Sequence, residues 1–299
     1  MTDHKPNDLC LIAEKQEELF SFLIAKFPQK SRTKIKSALT HKQVLVDGKA
    51  VSQYDFKLKP GQKVSLCNQK KVYLPAGRQG NPKGIDILYE DEDIIIVNKK
   101  SGILSVSTQN EKQNTVFHRL VEYLQQEERY SRPYVVHRLD QYTSGIMMFA
   151  KSEKIQEVLR NAWKDYIDER VYVAVVEGRP AKEKGQMVSW LKENKMYRMY
   201  SSQAPDNGKK SITHYSVLQS NDMYSLVEVH LDTGRKNQIR VHFQDIGHPV
   251  AGDRKYGAKT DPCGRLMLHA RSLVFKHPAN HEKMEFDTGI PDFFVKLLE

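Results

Sequence analysis

At 299 residues the chain is long enough for one mid-sized catalytic domain plus a small accessory module. Its 39% hydrophobic residues can build a core, yet no apolar run approaches the roughly 18 residues that a membrane span needs. Cys10, Cys67 and Cys263 are odd in number and form no CxxC pair, which argues against a disulfide framework or a structural metal. The start MTDHKPNDLC lacks the basic-then-apolar layout of a secretory signal, so a reducing cytoplasm is the expected setting.

The formal charge of +10 is unevenly placed. Residues 1–84 hold 16 of the 47 Lys/Arg but only 7 of the 37 Asp/Glu, so nearly all of the excess lies there. Such asymmetry points to a polyanion-binding module attached to a neutral body, with a solvated basic surface as the plainer reading.

Within that basic part, Leu19, Phe22, Leu23 and Phe27 fall at helical spacing, and Pro28 closes the helix. Ser31 can cap a second helix, SRTKIKSAL, with Ile35, Ala38 and Leu39 toward a core and Arg32, Lys34 and Lys36 outward. VLVDGKAV reads as two short strands around Asp47-Gly48, with Lys49 just after the turn, and LKPGQKVSL adds a further turn and strand. Residues 68–84, rich in Gly, Pro, Asn and Lys, read as a linker between a module at 15–67 and a body at 85–299.

From Ile85 strands alternate with helices. DILYEDEDIIIVNKK reads as a hairpin with strands at Ile87–Tyr89 and Ile94–Val97. Val116, Phe117, Leu120, Val121 and Leu124 form a helical stripe, GIMMFAK is a fully apolar strand, and SEKIQEVLRNAW is a helix capped by Ser152. VYVAVVEG, ITHYSVLQ and YSLVEVHL read as strands, the last two as antiparallel neighbours. The expected class is α+β: a mixed, largely antiparallel sheet with flanking helices, plus the small N-terminal α/β module.

HRLDQYTSG, residues 137–145, lies between two apolar strands, so Asp140 sits on a loop held at both ends by the core. Thr143, Ser144 and Gly145 suit a tight return. A structural turn with a salt bridge fits the residues as well as a catalytic loop does. A protein-kinase loop does not fit, because Leu139 interrupts H-R-D and no DFG or glycine-rich loop follows.

HRLD-x-x-TSG resembles the signature of RluA-type pseudouridine synthases, and other segments match in order. ILYEDEDIIIVNKKSGIL resembles the first family motif. VYVAVVEG resembles the segment whose tyrosine stacks on the target base, here Tyr172. LDTGRKNQIRVHFQDIGHPVAGDRKYG resembles the third, whose arginine pairs with the catalytic aspartate, here Arg240. GRLMLHARSLVFKHP resembles the closing strand, with Leu268 as a packing partner for the base. The basic module resembles the small RNA-binding module first named for ribosomal protein S-four, the alpha-L motif; a basic helix–turn–helix piece is its competitor.

The resemblance implies isomerisation of uridine in structured RNA, with Asp140 acting at C1′ or at the 2′ position of the ribose. Arg240 is expected to give it a bidentate, orienting contact, Tyr172 a stacking face and a hydroxyl for the C5 proton, and Arg138 either a side chain for the place of the extruded base or a phosphate contact. Arg32, Lys34, Lys36 and Lys49 are the expected RNA contacts of the module. No cofactor and no metal are expected, since the reaction has no net redox change; His137, His242 and His269 are expected to be structural. Large-subunit (23S) ribosomal RNA is expected over transfer RNA, with the protein a cytoplasmic monomer bound to no membrane. A non-catalytic RNA-binding or ribosome-assembly factor and an aspartate hydrolase are the competing functions. Lys100-Ser101, Ser105-Val106-Ser107, Gln141-Tyr142 and Lys236-Asn237 depart from the family pattern, and the role of the loop after Lys99 is therefore left open.

Overall fold

The computed structural model describes residues 9–28, 31–40, 44–47, 49–66, 80–109 and 111–299. Cys67, residues 68–79 of the expected linker, Gly48, and the side chains of Lys34 and Lys49 lie outside the described residues. The chain divides into two compact units, Met1–Pro75 with Tyr89–Asp91, and Ala76–Leu88 with Glu92–Glu299.

The first unit runs β1 (Leu9–Ile12), β2 (Glu17–Glu18), α1 (Leu19–Lys26), α2 (Arg32–Thr40), β3 (Val44–Val46), β4 (Lys49–Ala50), β5 (Lys57–Leu58) and β6 (Lys63–Leu66). Leu19, Phe22, Leu23, Phe27, Ile35, Ala38 and Leu39 are all buried, as their spacing requires, and pack with Val44, Val46, Leu58 and Val64 into one core. β3 and β4 form the hairpin around Asp47, and β6 pairs with β3. The sheet also contains β1, paired antiparallel with β6, so it begins ahead of residue 15, where the sequence pattern starts the module.

The second unit contains β7 (Ile85–Glu90, whose last two residues are grouped with the first unit), β8 (Ile94–Lys99), α3 (Val116–Leu124), β9 (Tyr134–Val135), β10 (Ser144–Ala150), α4 (Glu153–Asn161), α5 (Trp163–Tyr166) and β11 (Ile167–Glu177). It continues with β12 (Lys184–Glu193), β13 (Met199–Ser202), β14 (Lys209–Ser220), β15 (Tyr224–Leu231), α6 (Gln238–Asp245), β16 (Leu268–Lys276), β17 (Lys283–Asp287) and α7 (Asp292–Val295). The strands form one sheet in the order β13-β12-β14-β15-β11-β16-β10-β8-β7, with β17 on β16 and β9 on β10. The step from β10 to β16 is parallel. The steps flanking it, β16 to β11 and β10 to β8, are antiparallel, as is the β14–β15 pair.

Local signals explain several element ends. Ser152 caps α4 by accepting the Ile155 N–H at 3.3 Å, and Thr115 caps α3 by accepting from His118 at 3.0 Å. The α3 stripe differs from expectation, since Tyr123 is buried while Phe117 and Val121 are only half-buried. Two apolar clusters flank the parallel step. One joins β11, β14 and β15 to α6 and the C-terminal Phe294 and Leu298. The other joins β7, β8 and β10 to α3. Tyr172 packs against both, so the position that the sequence marks for base stacking lies where the two clusters meet.

Gly145 makes that junction possible. Its φ is +116°, and a Cβ there would stand 2.2 Å from the Ala270 carbonyl oxygen of β16. Only glycine lets β10 approach β16 so closely in that conformation.

Candidate active site

Asp140 lies on the loop between β9 and β10, and that loop is fastened from both sides. Ser105 Oγ donates to the Leu139 carbonyl at 2.6 Å and accepts the Leu139 N–H at 3.1 Å. Gly102 N–H donates to the Gln141 carbonyl while Gln141 Nε2 donates to the Gly102 carbonyl. Ser101 Oγ donates to the Tyr142 carbonyl at 2.7 Å. Lys99, fully buried, donates to the carbonyls of Ile103 and Gln141 at 2.9 Å and of Lys100 at 3.2 Å. Three carbonyl acceptors match the three donors of an ammonium, although burial brings the amine down to about 7. The Ser101 and Ser105 departures thus have a structural account: both hydroxyls clamp the aspartate loop. On the other arm, His137 Nε2 accepts the Met148 N–H at 2.9 Å, so its ring is neutral, and burial takes it down to about 3.

Opposite the loop, α6 is preceded by Asn237 at its N-cap position, whose φ of +54° is one that asparagine tolerates. Arg240, on this helix, was expected to grip Asp140 with both prongs. Instead its Nε and Nη2 bond both oxygens of Asp253 at 2.6 and 2.8 Å, and Nη1 alone reaches Asp140, at 3.4 Å, and Asn237 Oδ1, at 3.2 Å. The reason is placement: Asp253 is buried directly behind the guanidinium, while Asp140 meets its outer edge. The Tyr256 ring lies 4.8 Å from the same guanidinium. Burial would lower the Arg240 pKa, but the bond to Asp253 and its charge, with that of Asp140, raise it. The guanidinium is charged.

Gly252 turns Asp253 into place; its φ is +78°, and a Cβ would stand 2.1 Å from the Arg265 carbonyl oxygen. The network continues through Asn237 Nδ2, which donates to the Tyr256 hydroxyl at 2.8 Å. Asp253, Tyr256, Asn237, Lys99 and Ser105 were all missed as site residues. Their contacts cross long stretches of chain or end on backbone carbonyls, and no spacing rule announces such contacts.

Asp140, Arg138, Tyr172, Leu268 and Arg240 line one cleft of about 910 Å³, shared with Trp163, Arg170, Arg235 and Gln238. Arg138 is exposed there, and Leu268 is buried. Tyr172 is half-buried on β11, opposite Ala270 of β16 where the register between the strands shifts. Burial raises its hydroxyl pKa; Arg170 lowers it and the charge of Asp140 raises it further. In the first unit Arg32 and Lys36 are exposed on α2. The remaining two expected RNA contacts have side chains outside the described residues.

The model of RNA pseudouridylate synthase matches residues 93–245, and that of the S4 domain residues 19–64. The chain belongs to the RNA pseudouridine synthase family. RNA pseudouridine synthase YlyB of Bacillus subtilis (strain 168) is 34% identical over 96% of this chain and 94% of its own length. Ribosomal large subunit pseudouridine synthase D of Neisseria meningitidis (strain DSM 15465 / Z2491) is 30% identical over 94% of this chain and 77% of its own. The solved structure of Human RNA Pseudouridylate Synthase Domain Containing 1 has a TM-score of 0.57 and 26% identity, covering 74% of this chain and 89% of that one. This synthase is accordingly an isomerase with an RNA-binding S4 domain at its N-terminus. Among the described residues no helix is long and apolar enough to cross a membrane.

Proposed function

We propose that this synthase converts specific uridines of structured RNA, in large-subunit (23S) ribosomal RNA, with Asp140 as the carboxylate that acts at the ribose. The reaction breaks the N1–C1′ bond, turns the uracil and joins C5 to C1′. The proton lost at C5 is matched by one gained at N1, so the base leaves with the atoms it brought. A stacked uridine cannot reach a cleft of this kind, and its extrusion costs a few kcal/mol. Arg138, exposed beside Asp140, is suited to the vacated place. Tyr172 offers an aromatic face and a hydroxyl, and Leu268 an apolar floor.

The observation that carries the reading is the setting of Asp140. A carboxylate on a loop clamped by Lys99, Ser101 and Ser105 opens into a nucleotide-sized cleft beside a guanidinium whose charge is already matched by Asp253. Because Asp253 takes the fork of Arg240, a single N–H, at 3.4 Å, is all that Arg240 commits to the Asp140 carboxylate. Preference for the large subunit is supported by the similarity to the Neisseria meningitidis enzyme of that name.

Pseudouridines are to be mapped in ribosomal and transfer RNA from cells that lack the gene, complemented with the intact or the Asp140→Asn protein. One or more 23S positions should lose the modification and regain it only with the intact protein. Rescue by Asp140→Asn would remove the carboxylate assignment, loss confined to transfer RNA would move the substrate, and no loss anywhere would remove the reading.

A further inference from the structure

The ring of Tyr256, itself fully buried, gathers three cations: Arg240 at 4.8 Å, Arg198 at 5.4 Å and Lys255 at 5.9 Å from its centroid. Arg240 is answered by carboxylates. Among the described residues Arg198 and Lys255 are within ion-pair distance of none. Arg198 Nη2 reaches only Gln244 Oε1 and Lys255 Nζ only the Tyr197 carbonyl, both at 3.4 Å, so most of their donors remain to be given. Lys236 is nearby but is paired with Glu193. Desolvation, then the charges of Arg240 and Lys236, hold the Lys255 ammonium below its ordinary pKa, with Asp140 opposing and Arg198 adding to the depression. Two cations on one ring, neither with a carboxylate among the described residues, mark a place where an anion is to arrive.

The segment that presents Arg198 is built, not loose. In the turn between β12 and β13, the Asn194 side-chain oxygen accepts the N–H groups of Met196 and Arg198, each at 3.0 Å. Tyr197 is held at φ +58°, a conformation costly for a bulky residue, with its N–H on the Asn194 carbonyl at 2.9 Å. This strain keeps an aromatic ring 74% exposed and its neighbour Met196 81% exposed beside the two cations. The turn is tied to the catalytic wall, because the Met199 N–H donates to the Tyr256 hydroxyl that Asn237 also bonds.

We propose that Arg198 and Lys255 form a phosphodiester-binding subsite for the RNA strand flanking the target uridine, with Tyr197 as a stacking face for a neighbouring base. The subsite rests on the reading of the chain as an enzyme of structured RNA. Arg198 and Lys255 share the Tyr256 ring with Arg240, which lines the cleft, so a phosphate held there keeps the flanking strand close to the Arg240 wall. Guanidinium and ammonium beside an exposed ring suit single-stranded RNA, whose charge is regular and whose bases all have a π-face.

The test uses the full chain carrying Asp140→Asn, so that binding is read without turnover, and an unmodified in-vitro transcript of large-subunit ribosomal RNA. Affinity is measured across a salt series. Removing one phosphate-binding side chain lowers the slope of log K against log salt by roughly 0.7 to 0.9. The pair Arg198→Gln and Lys255→Gln should therefore flatten it by about 1.5, while Lys283→Gln, on β17, should leave it alone. Tyr197→Ala should weaken binding about five-fold or more at unchanged slope, and Tyr197→Phe should restore it. A double variant with the parental slope, or a Tyr197→Ala variant with parental affinity, overturns the subsite while leaving the RNA reading intact. No binding by the parent chain overturns both.

Discussion

Arg240 lies between two carboxylates and treats them differently. Asp253, at 1% side-chain exposure, takes the fork; Asp140, at 23%, takes one long contact. Replacing Asp253 by Asn keeps the shape but leaves the guanidinium short of a buried counter-charge and sets an amide N–H against it. Such one-sided removal from a buried pair costs about 3–5 kcal/mol, and an arginine free to shift should fork onto Asp140 instead. Asp253→Asn is expected to lower both the unfolding free energy and the single-turnover rate, the latter about ten- to hundred-fold. A variant with parental stability and rate would show that Asp253 does not set the geometry of Arg240. His242 gives a cleaner test of burial. It bonds Ser189 and Thr213, and burial takes it down to about 4, against ~6.5 in an unfolded chain. Below pH 6.5 the unfolded chain therefore binds a proton that the folded one refuses. The contribution is fully present above that pH and is lost as pH falls toward 4. In urea titrations at stepped pH, His242→Gln should make the slope of stability with pH over that window shallower by about 1.4 kcal/mol per unit. Equal slopes would mean that His242 titrates alike in both states.

Among the elements, legibility follows periodicity. The helices α1 and α2, the Ser152 cap and the apolar strand β10 can be read because their buried residues recur at helical spacing or form an uninterrupted run. Helix α6 cannot. Gln238, Ile239, Arg240, Val241, His242 and Phe243 are all buried, so it has no polar face against which a stripe stands out. Strand β12 escapes notice because KGQMVSWLKE mixes charged ends with its alternation. The residues Asp140, Tyr172, Arg240, Leu268 and Arg138 are all legible by resemblance, and they line one cleft. Their supports are not, since Lys99 and Ser105 act on main-chain atoms 34 to 42 residues away. Gly145 belongs to this scale as well. Alanine there must accept a positive φ and clear the Ala270 backbone, which stands 2.2 Å from the new Cβ. The parallel step between β10 and β16 would have to open, and with it the junction that carries Tyr172. Gly145→Ala is expected to cost about 3 kcal/mol or more and to reduce turnover in the surviving folded fraction. Unchanged thermal unfolding would mean that β10 can move away from β16 without loss.

Across the whole molecule, each compact unit has a hydrophobic core of its own. Every residue lining the cleft belongs to the C-terminal unit, while nearly all the excess charge lies on the N-terminal side. Residues 80–84, which by composition read as linker, are bonded to the body. The Asn81 side chain accepts the Ile87 N–H at 3.1 Å, the Pro82 carbonyl the Ile85 N–H at 3.0 Å, and the Gly84 carbonyl the Lys100 N–H at 3.0 Å. A fragment 80–299 should therefore fold with the full cleft, and more stably than one cut at Ile85, which lacks these bonds next to the strand leading to Lys99. On a short RNA at high concentration the fragment should keep turnover. On the intact target its affinity should fall, and with it the salt dependence, because each phosphate held by the basic unit carries roughly 0.7 to 0.9 of the slope. Removing three such phosphate-binding side chains would flatten the slope by about 2 to 3, more than removal of the pair Arg198 and Lys255 can. If fragment and full chain share one slope, Arg32, Lys36 and their neighbours form a solvated surface. The hold on RNA would then have to come from the cleft and its rim.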